Sequence, residues 1–169
     1  MRSVTSFLMN RRQIALKLVM SQLGIPPTLD SFDDRLILQK KIYLAQQAGV
    51  DLGYHYYWYL RGPYSRALVG DAYDMELTTR PPRGWCLDEE TKQKLSILRD
   101  FFDKLRNASK SFELYASVLF AIATGQAKRN NLQGIFQLMK NAGKNFSKNE
   151  IKKSLDAMSS ANLFPSLSN

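Results

Sequence analysis

The sequence predicts a mainly α-helical fold, a compact domain of about seven helices with one small β element. Three observations carry that expectation. Apolar residues recur at helical spacing in seven separate segments, glycine or proline closes most of these, and only residues 54–60 carry the dense aromatics of a strand.

The first helix is expected over Arg11 to Leu23, with Ile14, Leu16, Leu18 and Val19 over a wide apolar arc and Gly24, Pro26 and Pro27 behind it. Asp30 and Ser31 offer caps for a second helix. Its stripe is Leu38, Ile42 and Ala45, its opposite face presents Gln39, Lys40, Tyr43 and Gln46, and Gly49 closes it. Tyr54 to Leu60 follows as a strand with large rings on both faces, both expected to be covered, and Trp85 to Leu87 as a short second strand.

Between them Arg61 to Ser65 turns the chain into a third helix, Arg66 to Leu77, and a Thr/Arg/Pro-rich loop runs from Thr78 to Gly84. Asp88, followed by Glu89 and Glu90, opens a long helix to about Arg106 with Leu95, Leu98, Phe102 and Leu105 inward. Ser111 to Ala123 and Asn131 to Ala142 are the fifth and sixth helices. Ser147 and Glu150 form a capping-box pattern for the seventh, Lys148 to Asn162, with Ile151, Leu155 and Met158 inward. The last two helices have the shape of a helix-turn-helix or winged-helix pair.

With 169 residues, 44% hydrophobic and 23% charged, the chain can bury a core without staples or a metal. A single domain over 1–169 is expected, with candidate lobes 1–87 and 88–169. Cys86 is the only cysteine, which excludes an internal disulfide and leaves a thiolate metal cage without ligands. Met1 to Asn10 lacks the apolar run of a signal peptide, and the longest apolar stretch, Tyr115 to Ala123, is far shorter than the ~20 residues of a membrane-spanning helix. A cytoplasmic protein outside the membrane is the expectation.

Net charge is +9, and from Asn107 onward eight lysines and arginines face three acids, a local net of +5. Such an excess attracts polyanions over a Debye length of ~8 Å. Lys144, Lys148, Lys152 and Lys153 are the candidate phosphate contacts of the last helical pair. Lysines that only keep helix faces hydrated are the plainer reading of the same charge.

Chemistry is harder to place. His55 is the only histidine, so histidine-based triads, His-rich zinc sites and two-histidine phosphodiesterase chemistry are excluded. His55 reads as a packed ring within the aromatic strand, and Cys86 as a small core residue. Asp33 and Asp34 suit a helix first turn, while Asp71, Asp74 and Glu76 read as a solvated face. No phosphate-gripping glycine loop occurs, and neither a metal nor a cofactor is expected. The sharpest local feature is the turn Arg61, Gly62, Tyr64, Ser65 and Arg66, where helix N-terminal N–H groups between two arginines form a candidate anion or partner seat. Structurally, the same turn aims the third helix back on the core with Tyr64 as a plug.

Leu38-Gln39-Lys40-Lys41-Ile42-Tyr43-Leu44-Ala45, followed by Trp58-Tyr59-Leu60-Arg61-Gly62-Pro63-Tyr64-Ser65 and a helix, resembles a pattern of YwgA-like uncharacterised bacterial proteins. More loosely, it resembles the Panacea (SocA-like) antitoxin domain. The resemblance covers roughly residues 35–74. It implies a helical fold with a small β element and, on the Panacea side, a role in toxin–antitoxin or phage-related systems through protein contacts; it carries over no catalytic residue. The expected function is therefore a non-enzymatic binding protein, an antitoxin- or adaptor-like regulator with a protein partner. Nucleic-acid binding through the basic C-terminal helices is the alternative, and an enzyme using Asp or Tyr side chains near the 61–66 turn is the third.

Overall fold

A computed structural model describes residues 9–76 and 83–168. It contains seven α-helices and one two-stranded antiparallel sheet. The helices are α1 (Arg11–Leu23), α2 (Phe32–Gln47), α3 (Arg66–Glu76), α4 (Glu89–Lys104), α5 (Ser109–Ala123), α6 (Leu132–Asn141) and α7 (Lys148–Ala161); the strands are β1 (Tyr57–Tyr59) and β2 (Gly62–Tyr64). A short 3-10 turn, Pro165–Leu167, follows α7.

Side-chain caps fix most of the helix starts. Asn10, Ser31 and Ser147 each form a full capping box, with Gln13, Asp34 and Glu150 as reciprocal partners, and Asp88 and Asn131 accept from the N–H groups of Thr91 and Gly134. Each such cap satisfies N–H groups that the helix cannot, and contributes ~1 kcal/mol. Ser65 caps α3 from the turn, accepting from Leu68 N–H at 3.4 Å.

At the centre α2 packs on α5. The composition of α5 explains its position: Phe112, Ala116, Val118, Leu119 and Ala121 are all fully buried. Around this pair, α1 lies on α4, α3 bridges α1 and α2, and α6 and α7 pack on each other and on α5. One connected apolar cluster runs from Leu16 to Leu167. The 3-10 turn closes it by inserting Phe164 and Leu167, and Arg129 donates to the Leu167 carbonyl.

Several expectations are corrected. The strand is three residues, not seven, because β1 pairs only with the three residues beyond a two-residue turn. Its two faces differ: Trp58 packs inward on Phe120 at 5.7 Å, whereas Tyr57 and Tyr59 are exposed. His55 is exposed and precedes the strand, so it is not a packed ring. Residues 85–87 form no strand, and Cys86 is exposed rather than a core residue. The 78–84 loop falls largely outside the described residues.

The face of α2 opposite its apolar stripe is not solvated. Gln39, Lys40 and Tyr43 are buried and Gln46 is half-buried, because α2 runs through the interior and β2 packs on it. Asp71 is buried too, contrary to its expected place on a solvated face. It accepts from Arg12 Nε at 2.7 Å, Tyr54 OH at 2.9 Å and Gln13 Nε2 at 3.4 Å, tying α3 to α1. Burial and this carboxylate push the Tyr54 hydroxyl above its ordinary range.

Candidate functional site

The aromatic hairpin and its turn are held from three directions by polar side chains that are themselves buried. Tyr57, Trp58 and Tyr59 pair with Tyr64, Pro63 and Gly62, leaving Leu60 and Arg61 as the turn. Gly62 has φ +91°, a left-handed pose that L side chains rarely adopt, and a Cβ there would collide with Ser117 Oγ of α5. Both the backbone angle and the close approach of α5 therefore require glycine.

From α2, Gln39 forms two hydrogen bonds with the Ser65 backbone: its Nε2 donates to the carbonyl at 2.8 Å and its Oε1 accepts from the N–H at 3.0 Å. The neighbouring Lys40 Nζ donates to Pro63 O at 2.6 Å. Two consecutive residues of one helix thus satisfy buried backbone groups of the turn, which would otherwise each cost about 1–3 kcal/mol.

From α5, Glu113 accepts from Arg61 Nε at 2.5 Å and from Lys144 Nζ at 2.8 Å. Lys144 also donates to Leu60 O at 3.2 Å and lies 5.4 Å from the Trp58 ring centroid. The Arg61 guanidinium lies 5.7 Å from the Phe32 ring centroid.

Electrostatics in this cluster follow from its burial. Desolvation pulls the Lys40 ammonium down to about 7; Glu113 opposes that shift, and Lys144 and Arg61 add to it. Burial pushes the Glu113 carboxyl up, but hydrogen bonds and charges from Lys144 and Arg61 outweigh it and hold the group below the usual carboxylate range. The Ser117 hydroxyl is fully buried without a hydrogen-bond partner.

Beside the turn lies a cleft of about 320 Å³ between α2, the hairpin and α3. Phe32, Leu36, Tyr59, Leu60, Val69 and Tyr73 supply apolar walls, and Arg35, Arg61 and Lys40 the basic groups; among the described residues no carboxylate lines it. Phe32, Tyr59, Leu60 and Tyr73 are exposed, with Leu60 at 77%.

The residues of the expected anion or partner seat are placed differently from one another. Arg61 turns to Glu113, Ser65 N–H is committed to Gln39, and Arg66 is exposed and outside the cleft. Gly62 shapes the turn, and Tyr64 is half-buried against Tyr57 and Tyr59 at 5.7 and 5.3 Å, lining the cleft as well as plugging the turn.

The four lysines proposed for phosphate separate. Lys144 is removed from that role, since its side chain is 2% exposed and paired with Glu113. Lys148 lies 5.3 Å from the Phe136 ring centroid, Lys152 pairs with Asp156 at 2.8 Å, and Lys153 is exposed. Ile151, Leu155 and Met158 turn inward from the same helix, leaving Lys152 and Lys153 on its outer face.

Sequence reasoning missed Gln39, Lys40, Glu113 and Ser117. The available signal was three polar residues in otherwise apolar surroundings: Glu113 and Ser117 sit four apart within the most apolar helix, and Lys40 lies among Leu38, Ile42 and Leu44. Buried polar groups need partners, so such residues announce a network even when their partners cannot be named.

Among the described residues no helix is long and apolar enough to cross a membrane, and no three His, Cys, Asp or Glu gather as a metal site. Comparison with protein-family models, with curated proteins and with solved structures returned no match to this chain, so the chemistry of the cleft carries the functional reading.

Proposed function

We propose that this protein is a non-enzymatic binding protein, an antitoxin- or adaptor-like regulator that docks a protein partner on the cleft beside the hairpin turn. The observation that carries the reading is the cleft itself: apolar walls of about 320 Å³ with exposed Phe32, Tyr59, Leu60 and Tyr73 around them. Contiguous exposed apolar surface marks interaction sites, and tyrosine and arginine are enriched where binding energy concentrates. The buried clamp of Gln39, Lys40 and Glu113 holds the turn in one pose, so little order is lost on docking. The resemblance of residues 35–74 to the Panacea pattern supports the antitoxin-like form of this reading, within a phage- or defence-associated system.

The test uses wild type and Leu60→Asp as baits for purification from the native host. Leu60 is largely exposed, so the substitution leaves the fold intact while placing a charge at the cleft mouth. A protein captured by wild type and lost with Leu60→Asp is the expected result. If no protein distinguishes the two baits, the proposal falls.

Exposed Lys152 and Lys153 on α7, with Lys148 at its start, favour nucleic-acid binding as a second reading. Titration of a mixed duplex and a single strand at two salt concentrations decides it, because neutralised phosphates give a log-salt slope. A flat response removes it.

A further inference from the structure

The lining of the cleft specifies its occupant further. Among the described residues the lining carries Arg35 and Arg61 and no carboxylate, and Glu113, which pairs with Arg61, has a side chain only 9% exposed. Arg61 commits Nε to Glu113 and is 46% exposed, so its two terminal nitrogens keep donors for a second carboxylate. Arg35 uses Nη1 on the Leu29 and Asp30 carbonyls, at 2.9 and 3.2 Å, which fixes its guanidinium in the cleft lining.

A volume of about 320 Å³ lies near the lower end of the roughly 300–1,000 Å³ of small-ligand sites. It therefore takes one or two side chains rather than a whole helix. The chain carries a net +9, which repels a second copy and draws in a negative partner.

We infer that the cleft receives an acidic segment of a partner protein, in which a bulky apolar side chain enters the apolar walls and flanking carboxylates pair with Arg61 and Arg35. The inference rests on the docking reading above and gives that partner a chemistry. Apolar burial anchors the segment. The arginines select it over neutral or basic segments of equal hydrophobicity, because a basic segment would set like charges side by side.

Three synthetic peptides test this, each with a central tryptophan-leucine pair, flanked respectively by aspartates, asparagines or lysines. Binding to the full chain is followed by calorimetry at low and moderate salt. The aspartate peptide is expected to bind at least about tenfold tighter than the asparagine peptide, with the lysine peptide weakest and the difference shrinking as salt rises. Leu60→Asp and Tyr73→Glu, both at exposed positions, are each expected to weaken the aspartate peptide by about tenfold or more without changing the melting temperature.

Equal binding of all three peptides, or preference for the lysine peptide, overturns the inference. So does aspartate-peptide binding that Leu60→Asp leaves unchanged. If no peptide binds while Leu60-dependent capture of a host protein persists, the acidic-segment inference fails and the docking reading stands; if neither is seen, both fail. Sedimentation showing a Leu60-dependent dimer of this chain would assign the cleft to a second copy and also overturn it.

Discussion

Lys40 makes the stability of this protein depend on pH in an unusual direction. Its ammonium is buried beneath the hairpin, and desolvation lowers its pKa from 10.5 to about 7. Between those two values the unfolded chain holds one more proton at this site than the folded chain, so stability rises with pH. Below about pH 7 both states are protonated and the burial penalty is present in full; above the unfolded value the penalty is gone.

At 1.36 kcal/mol per unit, the span from pH 7 to about pH 9.5 corresponds to a gain of about 3 kcal/mol from this one group. The window closes there because Tyr43, Tyr54 and Tyr56 are all shifted upward, chiefly by burial. Their folded forms hold protons that the unfolded chain releases above its ordinary tyrosine pKa, which turns stability downward.

Urea denaturation followed by circular dichroism, at closely spaced pH values for wild type and Lys40→Met, measures the effect. Taking the difference at each pH cancels the groups common to both chains. Wild type is expected to gain about 3 kcal/mol relative to Lys40→Met across the window. Parallel profiles would show that Lys40 keeps its proton in the folded state and would refute the desolvation argument.

Two other substitutions probe the same cluster. Gly62→Ala is expected to destabilise by about 2–4 kcal/mol, since it combines a strained positive φ with a contact against Ser117 Oγ. Adding Ser117→Ala should recover the contact part alone, as a double-mutant cycle in urea would show. Glu113→Gln removes the carboxylate shared by Arg61 and Lys144. With Lys144 left buried beside a neutral amide, a loss of about 3–5 kcal/mol is expected in thermal or urea unfolding; an unchanged midpoint would show the pair to be dispensable.

The helices were legible because their signals are local. Ser31, Asp88 and Ser147 stand at the caps where short-range reasoning puts them, and the apolar stripe of α4 at Leu95, Leu98 and Phe102 repeats within a few turns. The inward face of α2 was not legible. Lys40 among apolar neighbours announces a buried network, but its partner and that of Gln39 lie 23 and 26 residues away in a turn whose carbonyls carry no sequence mark.

Glu113 repeats the difficulty over 52 and 31 residues. Lys144, chosen for its charge, is bound inside for the same reason: a basic residue in a basic tail gives no local sign that a carboxylate waits in another helix. His55 and Cys86 failed in the opposite sense, since rarity and apolar neighbours suggested burial that the chain does not provide.

The dependence of the hairpin on α2, α5 and Lys144, which span more than a hundred residues of sequence, also fixes when it can form. A two-stranded ribbon of three residues per strand is unstable alone, and closing the loops that bring its clamps together is slow relative to growing helices. The ribbon is therefore expected to form late in folding, which φ-values at Gly62 and Arg61 near zero would show. Substitutions in its turn should act on how fast the native protein opens rather than on how fast it is made.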